Sequence, residues 1–346
     1  MSTETAMPPG TDRATLPQQS GTMYERYYGF TGSPFQLTPD ARFFYGSRAH
    51  SRAIAHLTFG LSQGEGFVVV TGEVGAGKTT LVERLRSQLD GATYTLARIN
   101  TTRLSGDDLF RLAMHGFGVG HGRDKASMLV EFEDVLRQHA LTERRCLLVV
   151  DEAQNLSLAA IEELRMLSNI AQDGRTSLQT ILLGQPQFRR MLASPDLSQL
   201  RQRVLASYHL GPLGEEETRA YVEHRLTTVG WTGNPRFADT AFAAIHRHSG
   251  GIPRRINRLA ARLLLYGALE HAAALTAEMV ENTAAELNQD LEGPAPPPRN
   301  GDAAGHDDGG QPRQDSLRER VESLEATLAE RERAFQRLIE ALGQRT

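Results

Sequence analysis

The 346-residue sequence holds one cysteine, Cys146, so it makes no internal disulfide, and a cysteine-rich scaffold or multi-thiolate metal site is excluded. A reducing compartment fits that scarcity, and Arg145-Cys-Leu-Leu-Val-Val reads as a buried strand. A surplus of one charge sign is also missing. Lys plus Arg number 38 against 42 Asp plus Glu, a formal charge of −4, so no global basic field draws the chain onto nucleic acid or anionic lipid. No run approaches the ~18–20 apolar residues that cross a bilayer, and the first 22 residues have no apolar signal core. These features predict a soluble, cytoplasmic chain. There is no Gly-x-Ser-x-Gly elbow, and the eleven histidines show no metal-ligand spacing with cysteine. What is present is an ordinary globular composition, 40% apolar and 23% charged, in a length that suits two domains.

Five segments follow along the chain. Residues 1–22, rich in Pro, Thr, Ser, Gln and Gly, read as a disordered leader, with Met23 an alternative start. Residues 23–212 alternate β-branched runs with helical periodicity, the pattern of an α/β domain with a parallel sheet flanked by helices. The expected strands are Phe67–Thr71, Tyr94–Ile99, Cys146–Val150, Gln179–Leu183 and Leu205–Leu210, and the helices 78–89, 105–116, 126–141, 157–171 and 186–200. Residues 213–290 show only helix patterns and predict a small all-helical domain. Residues 291–316 are Gly-, Pro- and acid-rich, a flexible linker. Over 317–344, Leu317, Val321, Leu324, Leu328, Phe335, Leu338 and Leu342 follow spacings of four and three, broken only by Arg331 at a seam position, a coiled-coil segment; a solitary amphipathic helix is the alternative.

Gly72-Glu73-Val74-Gly75-Ala76-Gly77-Lys78-Thr79, followed by Thr80, matches G-x-x-x-x-G-K-[ST] between an apolar strand and a helix, the setting of a P-loop or Walker A motif. Glycines let the backbone wrap a polyphosphate, Lys78 neutralises its β- and γ-charge, and Thr79 offers a hydroxyl to Mg2+. Leu147-Leu-Val-Val-Asp151-Glu152 delivers two carboxylates to a strand's C-terminal edge as a Walker B motif. Asp151 would hold Mg2+ and Glu152 would polarise the attacking water. Gln185, after Thr180-Ile-Leu-Leu-Gly, is a candidate γ-phosphate sensor. Arg203 of Arg201-Gln-Arg203 is a candidate arginine finger acting on a neighbouring subunit. Arg254, in Gly250-Gly-Ile-Pro-Arg254-Arg, is a candidate lid sensor. The Gly116–Gly122 stretch has no preceding strand and reads as a loop.

Together with Tyr24-Glu-Arg-Tyr-Tyr-Gly-Phe, Val150-Asp-Glu-Ala-Gln154-Asn155-Leu, Leu183-Gly-Gln-Pro and Gly251-Ile-Pro-Arg-Arg-Ile-Asn257, these blocks resemble the AAA+ ATPases akin to the secretion-pathway A component. Within that group they most resemble the short ATPases of exosortase and exopolysaccharide loci. The resemblance spans about residues 23–290. It implies an AAA+ five-stranded domain with a helical lid, ATP and Mg2+ as cofactors, ATP hydrolysis by a homo-oligomer, and a role in cell-envelope export. Peripheral association with inner-membrane machinery is expected with that role, and the heptad segment, which the resemblance does not cover, is read as a partner or oligomer contact. The secretion relatives carry a membrane segment and a peptidoglycan-binding domain where this chain has linker and heptads, so their periplasmic role is not expected. The same blocks occur in DNA-binding transposition regulators, the alternative reading, with Arg254, Arg255, Arg258 and Arg262 as its basic face.

Overall fold

The computed structural model describes residues 22–38, 40–100, 104–120, 124–172, 175–176 and 178–292. The leader, nearly all of the linker and the heptad segment 317–344 lie outside the described residues.

The central sheet takes its layout from how completely each strand is covered. β1 (Phe67–Gly72), β3 (Arg145–Asp151) and β6 (Leu178–Gly184) are apolar almost throughout, and apart from Arg145 every residue is buried. Strands covered on both faces need continuous apolar runs, and these three occupy the middle of the order β2-β3-β6-β1-β7. The edges, β2 (Tyr94–Asn100) and β7 (Val204–Leu210), mix polar with apolar residues and are partly exposed. All neighbouring pairs are parallel.

Alternate residues divide the core into two layers. Val68, Val70, Leu147, Val149, Ile181 and Leu183 pack with α2 (Arg48–Gln63) and α3 (Lys78–Gln88). Phe67, Val69, Leu148, Val150 and Leu182 face the other way, against α4 (Gly106–Gly116), α5 (Lys125–Leu141), α6 (Leu158–Leu167) and α7 (Pro186–Leu192).

Strand bounds match expectation to within about a residue, and three other local readings are corrected. Helix α2 was not expected, yet Ser47 caps it by accepting from the His50 amide (3.2 Å), and Ala53, Leu57 and Leu61 bury at four-residue spacing. The expected helix 186–200 is broken. Pro195 cannot supply an amide hydrogen and restricts Ser194, so a 3-10 turn (Pro195–Leu197) separates α7 from α8 (Ser198–Gln202). The expected helix 157–171 ends at Leu167, ahead of an antiparallel pair, β4 (Ala171–Gln172) and β5 (Arg175–Thr176).

Beyond β7 come α9 (Glu215–Thr228), α10 (Asp239–Ser249), α11 (Pro253–Leu269) and α12 (Ala277–Glu292). This part is not purely helical. A short parallel pair, β8 (Arg236–Phe237) with β9 (Ala274–Leu275), ties two loops together and is too brief to leave a period in the sequence. The aromatic N-terminal segment, beginning with α1 (Met23–Tyr28), packs in the helical core. Tyr24, Tyr28, Phe30, Phe35 and Phe43 join Leu213, Tyr221, Val222, Ile256 and Leu263 in one cluster. Buried Arg225 of α9 fastens that segment: Nε donates to the Pro34 carbonyl (2.5 Å), Nη2 to the Gln36 carbonyl (3.2 Å), and its guanidinium lies 4.6 Å from the Phe43 ring centroid.

Candidate functional site

The β1–α3 loop sits at the C-terminal edge of the sheet, beside the tips of β3 and β6. Two of its glycines adopt left-handed backbone, Gly75 at φ +83° and Gly77 at +100°. Gly77 is also the N-cap of α3, so no side chain covers the first amides of that helix, which is where an anion binds. A Cβ at Gly77 would lie 2.8 Å from His50 Nε2, and one at Gly75 would overlap the Cβ of Arg254. Ala76 is buried, whereas Glu73 and Val74 are exposed.

Lys78 is folded back onto its loop, donating from Nζ to the carbonyls of Gly72 (2.9 Å) and Glu73 (3.1 Å). Burial pushes its pKa below the usual lysine value, against the pull of Glu152, Asp151 and Glu73. Thr79 Oγ1 donates to Asp151 Oδ2 (2.9 Å), which joins α3 to the end of β3. Asp151 Oδ1 accepts the backbone amide of Glu152 (2.9 Å).

Glu152 has φ 53°, uncommon for a residue with a side chain, and the kink aims its carboxylate across the sheet edge. There its Oε2 accepts from Gln154 Nε2 (2.5 Å) and Gln185 Nε2 (3.0 Å). Gln154 Oε1 in turn accepts from the Gln185 backbone amide (2.9 Å), so Gln154 is a strut between two strand ends. Burial acts to raise the Glu152 pKa, but these two amides and the Lys78 charge outweigh it and hold the carboxyl below its ordinary value.

A cleft of about 350 Å³ opens over this loop. Gly75, Gly77, Lys78, Thr79, Thr80 and Glu152 form its floor, and Pro253, Arg254 and Asn257 of α11 form its roof. Leu37, Phe44, Tyr45 and His50 provide a largely apolar wall. His50 accepts or donates at Ser47 Oγ (2.7 Å) through Nδ1, and burial lowers its pKa to about 4 despite the nearby Glu217. The wall is held from behind, where the Tyr221 hydroxyl lies 2.8 Å from the Asn257 amide and 2.9 Å from Arg225 Nη1.

Of the residues singled out in the sequence, the structure brings together the loop 72–80, Asp151, Glu152, Gln185 and Arg254. It places Arg203 elsewhere. Phe67 pairs with Val204 and Gly72 with Leu210, so Arg203 lies a strand's length, roughly 16 Å, from its own chain's phosphate loop. There Nη1 donates to Ser168 Oγ (3.2 Å). Two participants carry no signal as single residues. Gln154 is marked in the sequence only as part of a longer motif, and Arg98 of β2, which pairs with Asp151 (3.1 Å) and Glu83 (2.9 Å), belongs to no motif.

The donor set suits a magnesium–nucleotide. Unlined helix amides and a lysine suit phosphate, and a hydroxyl beside a carboxylate suits Mg2+.

The sheet order, the glycine loop and the paired carboxylates define an AAA-type P-loop NTPase fold. Residues 61–192 match the family model described as AAA domain. Solved structures agree on the fold: Cdc6p from Pyrobaculum aerophilum (TM-score 0.57, 14% identity, covering 73% of this chain and 70% of that one) and the ORC2 protein of Aeropyrum pernix (0.53, 17%, 69% and 66%). A Drosophila ORC chain from a structure bound to DNA also superposes (0.56, 17%, 83% and 72%). In sequence, the chain is 40% identical over 247 residues to General secretion pathway protein A of Aeromonas hydrophila, so it is an AAA+ protein of that kind. The match spans 70% of this chain but only 44% of that relative.

Proposed function

We propose that the chain binds Mg-ATP in this cleft and hydrolyses it as an oligomer, serving a cell-envelope export system. The observation that carries the reading is the convergence of Lys78, Thr79, Asp151 and Glu152 under Arg254.

Each side chain has a task the geometry suits. The α3 amides and Lys78 take the β- and γ-phosphates, Lys78 swinging off the Gly72 and Glu73 carbonyls. Thr79 and Asp151 would hold Mg2+, which when bound would supply charge neutralisation for the phosphates. Glu152 would receive the attacking water's proton at a carboxylate held below its ordinary pKa, and Gln185, which donates to that carboxylate, is the candidate γ-phosphate sensor. The apolar wall takes the base, and Arg254 closes the roof. A neighbour's Arg203 completes the charge stabilisation, because Arg203 lies away from its own loop.

The export role is supported by the 40% identity to a general secretion protein, and an exopolysaccharide or exosortase system is its finer form, drawn from the motif set. Contact with inner-membrane machinery would be peripheral in this reading, with the heptad-patterned sequence 317–344 as a partner contact; among the described residues no helix is long and apolar enough to cross a membrane.

Fluorescent-nucleotide binding combined with phosphate release tests the chemistry. Lys78→Ala should abolish binding, whereas Glu152→Gln should keep binding and lose at least about a hundredfold in turnover. Undiminished turnover by Glu152→Gln would remove Glu152 from the reaction.

A further inference from the structure

Asp151 faces a permanent cation of the same chain. Arg98 stands on β2, the edge strand next to β3, and reaches over the sheet end so that Nη2 meets Asp151 Oδ2 at 3.1 Å while Nη1 meets Glu83 Oε1 of α3 at 2.9 Å. The Asp151 side chain is 9% exposed and that of Arg98 28%, so solvent screens this pair only partly. Arg98 Nε is buried without a hydrogen-bond partner among the described residues. Two charge-assisted hydrogen bonds, to Glu83 and Asp151, hold the guanidinium in place. An arginine does not lose its proton under any ordinary condition, so the charge is always present.

The oxygen that Arg98 contacts is the one that accepts from Thr79, the threonine expected to ligate magnesium. Asp151 thus faces two cations, Lys78 and Arg98, while Lys78 also feels Glu152 and Glu73, and Glu83 is shared between Arg98 and Arg86. We propose that Arg98 is a built-in competitor of the magnesium ion for Asp151, which neutralises that carboxylate before metal arrives and weakens divalent-cation binding once nucleotide is seated. The inference rests on the reading of the cleft as a magnesium–nucleotide site and adds a residue that sets its metal requirement. It also assigns Arg98 a structural task, since the same guanidinium spans α3 and β3. Loss of the charge leaves Lys78 as the cation facing Asp151, with Glu83 still paired to Arg86, which favours a divalent ion at Asp151.

The test is a Mn2+ titration of the full chain saturated with ADP, read by electron paramagnetic resonance of the unbound ion, for the unaltered protein, Arg98→Met and Arg98→Gln. Both variants should bind Mn2+ more tightly, with midpoints lowered roughly three- to tenfold, as expected for one partly screened charge removed a few ångströms from the ion. Arg98→Gln retains an amide donor for Asp151 and carries the test if the methionine variant does not fold. Unchanged midpoints overturn the proposal. Raised midpoints overturn it too, since they would mean that Arg98 only positions Asp151 for the metal. Failure of the unaltered chain to bind ADP at any metal concentration would instead overturn the reading of the cleft, and this inference with it.

Discussion

The backbone amide of Arg254 donates to the Gly75 carbonyl across 3.2 Å, joining the first turn of α11 to the phosphate loop. The contact depends on two absences, a Cβ at Gly75 and an amide hydrogen at Pro253, which opens α11 at a position where proline costs the helix nothing. Gly75→Ala forces a side chain into both a left-handed backbone and the Arg254 Cβ. It should destabilise the chain by about 1–3 kcal/mol in urea unfolding and weaken nucleotide affinity as well. Arg254→Ala keeps the backbone bond, so stability should stay within about 0.5 kcal/mol while nucleotide affinity falls roughly tenfold or more through a lost charge-assisted contact.

Arg203 and its own phosphate loop lie at opposite ends of the β1–β7 ladder. Turnover per chain should therefore rise with protein concentration. Arg203→Ala should lower it by about 10³-fold or more with nucleotide binding retained. Mixing Arg203→Ala with Glu152→Gln chains should restore part of the activity, since each supplies what the other's site lacks. Full turnover by dilute Arg203→Ala monomers would show that the finger lies elsewhere.

Gln154 holds Glu152 and the end of β6 in one arrangement through both ends of its amide. Gln154→Ala should leave nucleotide affinity within about twofold and reduce kcat roughly ten- to a hundredfold, because misplacement by about an ångström is enough to cost that much. Gln154→Glu should be worse still, placing a second carboxylate against Glu152.

His50 links acidity to stability. Burial holds its folded-state pKa at about 4, below the ordinary 6.5, so between those values the unfolded chain binds the proton more readily. The neutral ring's contribution is present above pH 6.5 and is lost as pH falls toward 4, up to about 3 kcal/mol in total. Urea midpoints measured from pH 7 to 4 should decline accordingly, and His50→Gln should flatten part of that decline.

The phosphate loop and the carboxylate strand were legible because each is a contiguous motif whose setting, strand before or strand beneath, is local. The buried strands were equally plain, since a strand covered on both faces must be written as an unbroken apolar run. Arg98 was not legible. Its partners Glu83 and Asp151 are distant in sequence, and only the pairing of β2 with β3 puts the three together. Gln154 was hidden for a similar reason, as its meaning depends on the end of β6 arriving beside it. The aromatic run at Tyr24–Tyr45 announced folded structure, but its true contacts lie nearly two hundred residues onward, with Arg225 reaching Pro34 and Gln36. Helix α2 escaped because Ala53 and Gly60 carry little apolar signal, and Gly60 lies so close to Val68 that a Cβ would collide with it.

The Tyr24–Tyr45 strap has a practical bearing on any shortened version of this molecule. A fragment trimmed to start at the first strand would look complete by motif count, yet it would strip an oily seam from the helical bundle and discard one wall of the cleft. α1, which opens that seam, begins more than forty residues ahead of β1, well outside any boundary drawn from the phosphate-loop motif.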